Sequence, residues 1–132
     1  MKQSPVVHFE MPAKDNKRVS QFYTEAFGWQ MNQLGAEMSN YLLAGTTPTD
    51  ENQMTQKPGE INGGFFTYED KPGMNVPHVV IQVKNVDENI EAVKNAGGTI
   101  TSDKMPIPGI GTYVSFTDTE GNHVGMLQPP QK

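Results

Sequence analysis

The fold is decided by a stretch of sequence that occurs twice in diverged form. It reads HFEMPAKDNKRVSQFYTEAFG at residues 8–28 and HVVIQVKNVDENIEAVKNAGG at residues 78–98. Both copies open on alternating apolar and polar residues, and this alternation predicts a half-buried strand. The side chains predicted to face a helix are Val7, Phe9 and Met11 in the first strand and Val79, Ile81 and Val83 in the second. The opposite face then carries His8 and Glu10 in the first strand, and His78, Val80 and Gln82 in the second.

An amphipathic helix is predicted after each of these strands. Asp15 and Asp87 are the expected N-caps, because a carboxylate accepts hydrogen bonds from the first backbone N–H groups of a helix. Apolar residues then recur at helical spacing, and glycine ends each helix, where a left-handed backbone is needed. The predicted buried face is Val19, Phe22, Tyr23, Ala26 and Phe27 in the first helix and Ile90, Val93 and Ala96 in the second, and the stops are Gly28 and Gly97-Gly98.

The two copies keep the same register along the chain. His78 follows His8 by 70 positions, and Gly98 follows Gly28 by the same interval. Further strands are predicted after each helix, at 29–34, 41–44 and 61–68 in the first copy and at 99–101, 112–117 and 123–128 in the second. We therefore predict an α+β fold in which two βαβββ modules pair into a curved, cup-like mixed sheet with the helices outside. The polar faces of the strands would line the cup.

A single domain over residues 1–132 is expected, since this length is about the most common one for a single domain. Module one spans about 5–70, a linker with Pro and Gly spans about 71–77, and module two spans about 78–129. The first module carries a long loop at 46–60 where the second has a tight turn at 118–122. We expect the loops at 46–60 and 105–111 to border the cup and to be the most mobile segments.

Composition excludes several classes of function. Ten Lys and Arg against fifteen Asp and Glu give a formal charge of −5, and the basic residues are scattered, which argues against binding to nucleic acid. The chain has no cysteine, so neither a disulfide nor a thiol nucleophile is available. The apolar run near the N-terminus is too short for a signal sequence, and no apolar stretch is long enough to span a membrane. A cytoplasmic protein that acts away from membranes is the expectation.

In their order along the chain, these features resemble the vicinal oxygen chelate superfamily, which includes glyoxalase I, bleomycin-resistance proteins and extradiol dioxygenases. The resemblance covers nearly the whole chain, and it also includes the 105–111 loop, which is similar to a loop of many uncharacterised glyoxalase-like members. In the family's Asp-Pro turn motif, Thr119 stands in place of proline. The residues that carry the resemblance are His8, Phe22-Tyr23, Gly28, His78, Ala96-Gly97-Gly98 and Phe116-Thr117-Asp118-Thr119-Glu120-Gly121-Asn122.

The resemblance also implies where a metal would bind, because metal-using members place one ligand on the first strand and one on the last strand of each module. His8 and His78 fall on the two first-strand positions, and neutral imidazole suits Zn, Ni, Fe or Co. Gly64 and Gly125 stand at the last-strand positions, where a carboxylate would be expected. We expect these glycines to widen the cup and to leave its wall bare. A replacement ligand would have to come from Glu10 or Glu60; alternatively, the histidines contact ligand or water without a metal.

Other side chains of the cup face are candidates for contact with a ligand. Phenol and hydroxyl groups could orient a small polar-aromatic molecule, although ordinary sheet packing is an equal alternative for the tyrosines. His123 follows a turn and is expected to be solvated. The predicted ligand-binding residues are His8, Glu10, Tyr41, His78, Gln82, Tyr113 and Ser115, and the candidate catalytic bases are Glu10 and Glu60.

Two main functions are compatible with these residues. The first is a small-molecule-binding protein of the glyoxalase, bleomycin-resistance and dioxygenase type, which holds its ligand in the cup between the modules without chemistry. The second is a metal-dependent lyase, isomerase or dioxygenase, in which His8 and His78 hold a cation that polarises vicinal oxygens. A regulatory subunit with an empty cup is a third. The two glycines favour the first function, and a homodimer is expected because the edge strands of an open sheet need cover.

Overall fold

A computed structural model of the chain describes residues 3–52, 54–71 and 73–130. Gln53 of the predicted long loop, Pro72 of the predicted linker and residues 1–2 and 131–132 of the predicted domain lie outside the described residues. The chain divides into two compact units. We call residues 8–77 the N-terminal unit, and residues 78–130 together with 3–7 the C-terminal unit.

The N-terminal unit follows the predicted order of strand, helix and three strands. The strand β1 (Val6–Ala13), which belongs to this unit from His8 onward, is parallel to β4, and the other pairs are antiparallel in the order β2-β3-β4-β1. The remaining elements are α1 (Asn16–Phe27), β2 (Gln30–Gln33), a short 3₁₀ turn (Ala36–Met38), β3 (Leu42–Gly45) and β4 (Asn62–Thr67).

The C-terminal unit repeats this plan and adds one short strand. Its strands follow the order β5-β9-β8-β6, with β5 parallel to β9 and the other pairs antiparallel, and β7 also pairs with β8. The elements are β5 (His78–Gln82), α2 (Val86–Asn95), β6 (Thr99–Ile100), β7 (Met105–Ile107), β8 (Gly111–Thr117) and β9 (His123–Gln128). The α+β class and the two related modules are confirmed.

The strand β7 corrects one expectation, because Met105–Ile107 was predicted to be part of a loop. A tight turn folds this segment back on β8, with the Ile110 N–H donating to the Ile107 carbonyl at 3.0 Å. Gly109 in this turn has a φ of 76°. Residues 105–107 therefore form the outer strand of a hairpin.

The helix caps agree with the sequence in one module and differ in the other. Asp15 caps α1, accepting a hydrogen bond from the Arg18 N–H at 3.0 Å, and Gly28 ends it with a φ of 72°. The cap of α2 is Asn85, whose side-chain oxygen accepts from the Glu88 N–H at 3.1 Å. The prediction of Asp87 as the cap was wrong, because the helix begins before it.

Each unit has its own apolar core between its sheet and its helix, and Phe9, Met11, Ile81 and Val83 take part in these cores as predicted. Val79 was predicted to face the helix, but it is 40% exposed and belongs to neither core. The opposite faces carry His8 and Glu10 in the N-terminal unit and His78, Val80 and Gln82 in the C-terminal unit, where Val80 is only 2% exposed. The N-terminal core consists of Ala13, Leu42, Ala44 and Phe65, with Phe9, Met11, Val19, Tyr23, Trp29 and Met31 packed against it. The C-terminal core consists of Val83, Val86, Val114, Phe116 and Met126, with Ile81, Ile90, Val93, Ile100 and Val124 packed against it.

Part of the predicted apolar face of α1 lies outside this core. Phe22 and Phe27 remain 55% and 65% exposed, while Val19 and Tyr23 of the same helix pack on the sheet. Phe22 and Phe27 lie to the side of the residues of α1 that contact the sheet. They pack on the Tyr23 ring at centroid distances of 5.0 and 5.9 Å. The buried stripe of α1 is thus narrower than its sequence pattern indicates.

In each unit, an aspartate accepts hydrogen bonds within the loop or turn that precedes the last strand. Asp50 accepts hydrogen bonds from the N–H groups of Met54 and Asn52, which lower the pKa of its carboxyl group. In the tight turn at 118–122, the side chain and backbone of Asn122 hold the pKa of the Asp118 carboxyl below its usual range. The mobility of the long loop at 46–60 stays a prediction.

No helix in the described part of the chain is long and apolar enough to cross a membrane.

Candidate functional site

The structure brings His8, Glu10 and Tyr41 together on one face of the N-terminal unit. His8 and Glu10 are two residues apart on β1, so both project from the face opposite α1. Tyr41 immediately precedes β3, which is separated from β1 by β4. All three side chains are half-buried. These residues are three of the predicted ligand-binding residues.

A chain of hydrogen bonds connects the three side chains. The Tyr41 hydroxyl donates to Glu10 Oε2 at 2.8 Å, and His8 Nε2 lies 3.1 Å from the same hydroxyl oxygen. A phenol carries a single proton, and this one is directed to Glu10. The Tyr41 oxygen can then accept a hydrogen bond from His8 Nε2 in the tautomer that carries a proton on that nitrogen. The arrangement links an imidazole to a carboxylate through one phenol.

The Tyr41 ring also occupies the space above Gly64. Gly64 lies opposite Glu10 in the β1–β4 register and opposite Leu43 in the β3–β4 register. A Cβ atom at Gly64 would overlap the ring and the hydroxyl of Tyr41. The expectation that this glycine leaves the wall bare was therefore wrong. The glycine is needed because an aromatic ring lies directly on the backbone.

The C-terminal unit repeats this pairing of tyrosine with glycine. Tyr113 on β8 covers Gly125 on β9, and a Cβ atom at Gly125 would lie 2.7 Å from the Cε2 and Cζ atoms of its ring. Gly125 is opposite Ser115 on β8 and opposite Val80 on β5. Both predicted last-strand positions are thus glycines under a tyrosine, and neither widens a cavity in its own unit.

His78 and His123 form a buried pair in the C-terminal unit. Their ring centroids are 4.5 Å apart with an angle of 78° between the planes, and each residue is 9% exposed. The parallel pairing of β5 with β9 brings the two strand starts together, because Val80 is opposite Gly125. His123 was expected to be solvated, and this expectation was wrong.

Ser115 and Gln82 share the His78 face of the sheet but differ in accessibility. Ser115 is 3% exposed, its hydroxyl lies 2.8 Å from that of Thr101, and its N–H donates to Ser102 Oγ at 2.9 Å. Its hydroxyl is therefore engaged within the sheet. Gln82 is exposed, and its backbone N–H donates to the Pro5 carbonyl at 2.8 Å. Contact of either side chain with a ligand stays a prediction.

Glu60 does not join the carboxylate and imidazole of β1. It is exposed, it precedes β4, and its Oε1 accepts a hydrogen bond from the Thr47 hydroxyl. Asn62 also holds the start of the 46–60 loop. Its side-chain oxygen accepts hydrogen bonds from the N–H groups of Thr46 and Thr47 at 2.8 and 3.0 Å. Glu10 is therefore the carboxylate of the N-terminal site, and Glu60 is part of a loop anchor.

Neither unit supplies the pair of ligands that the resemblance implies for each module. Within residues 3–52, 54–71 and 73–130, no group of three His, Cys, Asp or Glu side chains could hold a metal ion. In the N-terminal unit, His8 and Glu10 are both hydrogen-bonded to Tyr41, and its ring fills the place of a ligand at position 64. In the C-terminal unit, Tyr113 fills the corresponding place above Gly125. The donor set thus offers no support for Zn, Ni, Fe or Co as a tightly held cofactor.

Comparison with known proteins agrees with this fold. A glyoxylase-like domain-containing protein from Didymella fabae is 31% identical over 126 residues, which cover 93% of this chain and 92% of that protein. A probable lactoylglutathione lyase from Vibrio parahaemolyticus is 27% identical over 133 residues, which cover 99% of this chain and 95% of that protein.

A solved structure, methylmalonyl-CoA epimerase from Streptomyces coelicolor, superposes with a TM-score of 0.70 and 12% identity, and the match covers 98% of this chain and 100% of that one. At this identity the likeness shows the fold alone. The family model for the Glyoxalase/Bleomycin resistance protein/Dioxygenase superfamily matches residues 6–126, which is most of the chain. The chain therefore belongs to the Glyoxalase/Bleomycin resistance protein/Dioxygenase superfamily.

Proposed function

We propose that this protein binds a small molecule on the face that carries His8, Glu10 and Tyr41, and that binding needs no resident metal. One observation carries the proposal: the Tyr41 ring covers Gly64 while its hydroxyl is hydrogen-bonded to both neighbouring side chains. A ring held in this way offers a flat apolar surface of fixed orientation. Such a surface beside a few polar groups is the usual composition of a small-molecule site.

The polar groups of this face favour a particular ligand chemistry. A carboxylate accepts hydrogen bonds and attracts positive charge, and the carboxylate of this face is Glu10. The formal charge of −5 also raises the local concentration of cations around the protein. We therefore propose a ligand with a planar or apolar part that stacks on Tyr41 and an N–H, O–H or cationic group that donates to Glu10.

The test is a binding screen followed by one conservative substitution. A panel of small aromatic amines and matched aromatic acids is screened by thermal shift, and hits are measured by calorimetry. Removing the hydroxyl with Tyr41→Phe leaves the ring but breaks the links to His8 and Glu10, so the affinity for a hit should fall about tenfold, the effect of about 1.4 kcal/mol. Tyr23→Phe, which removes a hydroxyl from a core-packed ring of α1, is the matched control and should bind like the parent.

Two outcomes would contradict the binding proposal. In the first, aromatic acids bind at residues 8–10 and 41, as mapped by NMR shifts, as tightly as aromatic amines do, which would remove the role given to Glu10. In the second, Tyr41→Phe and Tyr23→Phe bind equally well, which would place the ligand elsewhere.

A second candidate function is acid–base catalysis of the lyase or isomerase type. The observation that favours it is the direct link of Glu10 to His8 through Tyr41, because a carboxylate and an imidazole in one hydrogen-bonded chain can accept and return a proton. The relative from Vibrio parahaemolyticus described as a probable lactoylglutathione lyase supplies the first reaction to assay. Activity that appears only on adding Zn or Ni, together with stoichiometric metal in elemental analysis of untagged protein, would favour metal-dependent chemistry over metal-free binding.

We also propose that the protein is a cytoplasmic homodimer, in keeping with its lack of cysteine and with the open edges of its sheets. Within the described residues, β2 lies at the end of the strand order of the N-terminal unit. Sedimentation at micromolar concentration should give twice the chain mass. A single species of 14.6 kDa would refute the dimer.

A further inference from the structure

A concave surface lies on the N-terminal unit, and its lining does not include His8, Glu10 or Tyr41. It is an open cavity of about 470 Å³ where the end of β1 meets the first turns of α1. Its volume is within the range of small-molecule pockets, which is roughly 300–1,000 Å³. We call it the α1 groove, and it is lined by Pro12, Ala13, Lys14, Asp15, Arg18, Val19, Phe22 and Tyr68.

The apolar part of the α1 groove is aromatic and exposed. Phe22 is 55% exposed and Tyr68 is 46% exposed, although both are large rings with little reason to face water. Phe22 packs edge-on against Tyr23 with ring centroids 5.0 Å apart, and Tyr23 in turn packs on the core. Neighbouring exposed rings that line one cavity mark binding surfaces more often than isolated apolar residues do.

The polar part of the α1 groove is positively charged. The Lys14 ammonium lies 4.7 Å from the centroid of the Tyr68 ring, and Arg18 lines the same cavity. In the described part of the chain, neither Lys14 nor Arg18 forms an ion pair with a carboxylate. Asp15 also lines the groove, but its Oδ1 accepts the Arg18 N–H as the helix cap. Two cations against one carboxylate make this groove positive on a protein whose formal charge is −5.

We propose that the α1 groove binds a planar aromatic anion, of the aryl carboxylate class. The ring of the ligand would lie against Phe22 and Tyr68, and its carboxylate would accept hydrogen bonds from Arg18 and Lys14. Guanidinium and ammonium groups bind carboxylates through charge-assisted hydrogen bonds, and Arg suits their planar geometry. The charge of this site is opposite to that of the Glu10 site, so the two sites select different ligands.

The experiment is an NMR titration of the full chain with 1-naphthoate and, in parallel, with the neutral analogue 1-naphthalenemethanol. Saturable shifts should map to residues 12–22 and 68, and 1-naphthoate should bind about tenfold more tightly than the alcohol, as expected for charge-assisted hydrogen bonds. Arg18→Gln and Lys14→Gln should each weaken 1-naphthoate binding about three- to tenfold and leave the alcohol unchanged. Lys17→Gln is the matched control, because Lys17 is exposed on the same helix but does not line the groove.

Three results would overturn the proposal. The alcohol and the acid could bind equally well, which would show that the cations play no part. Lys17→Gln could weaken binding as much as Arg18→Gln, which would show a general charge effect. The shifts could map instead to residues 8–10 and 41, which would assign the aromatic anion to the other face and leave the α1 groove without a ligand.

Discussion

Alanine in place of Gly111 should lower the free energy of unfolding by about 3–4 kcal/mol, whereas alanine in place of Gly109 should lower it by only about 1 kcal/mol. Both glycines have positive φ angles, 136° at Gly111 and 76° at Gly109, so both substitutions strain the backbone. They differ in what a side chain would meet. At Gly111 a Cβ atom would overlap the carbonyl oxygen of Gln128 and lie 3.1 Å from the Cα atom of Pro129, while at Gly109 nothing lies within 4 Å.

The size of the Gly111 effect follows from the kind of atoms that are in the way. The carbonyl of Gln128 is backbone at the end of β9, and Gln128 pairs with Thr112 beside Gly111, so it cannot rotate aside as a side chain would. Relief requires the β8–β9 pairing to shift. Urea denaturation of the parent and both variants gives the comparison. Equal losses at the two positions would show that only the φ angle matters and that the close approach to β9 does not.

The sequence was sufficient to predict which face of β1 packs on the helix. Period-two alternation put Phe9 and Met11 on one side and His8 and Glu10 on the other, and the cores confirm this division. The reason is physical: a slip by one residue would move every apolar side chain of the strand to the wrong face. The residues on each face of such a strand therefore follow from the sequence pattern.

Contacts between distant strands are where the sequence pattern failed. His123 follows a tight turn, which suggests solvation, but its burial depends on the parallel pairing of β9 with β5, and the turn carries no information about that pairing. The strand β7 was missed for a similar reason, since Met105–Ile107 is short and contains a proline, and its pairing with β8 depends on the turn at Gly109. The local preference of these residues for strand or turn predicts neither the burial of His123 nor the pairing of β7 with β8.

The tyrosine–glycine pairs show the same limit in the candidate site. In the sequence alone, Gly64 suggests the loss of a metal ligand, and Tyr41 is only a tyrosine close to a predicted strand. Only the β1–β4 and β3–β4 registers bring the ring over the glycine, and the sequence offered no local signal for this contact. This contact changes the interpretation of Gly64. The position has no side chain because the Tyr41 ring occupies that space.

This interpretation predicts that Gly64 and Tyr41 are strongly coupled. Gly64→Ala should lower the free energy of unfolding by about 2–3 kcal/mol, because the new methyl group displaces the Tyr41 ring and breaks its hydrogen bonds to His8 and Glu10. Tyr41→Ala removes the obstacle. In the double variant the methyl group fits, so the combined loss should be smaller than the sum of the single losses by at least about 1 kcal/mol.

Two further cycles make the coupling test specific. Gly125→Ala with Tyr113→Ala should show a coupling of the same sign, because the Tyr113 ring covers Gly125 in the C-terminal unit. Gly64→Ala with Phe22→Ala should be additive, since Phe22 lies on the outer side of α1 and does not touch Gly64. If Gly64→Ala and Tyr41→Ala are also additive, the ring does not depend on the glycine. The site would then have room for a side chain at position 64, and the Tyr41 ring would not exclude a metal ligand there.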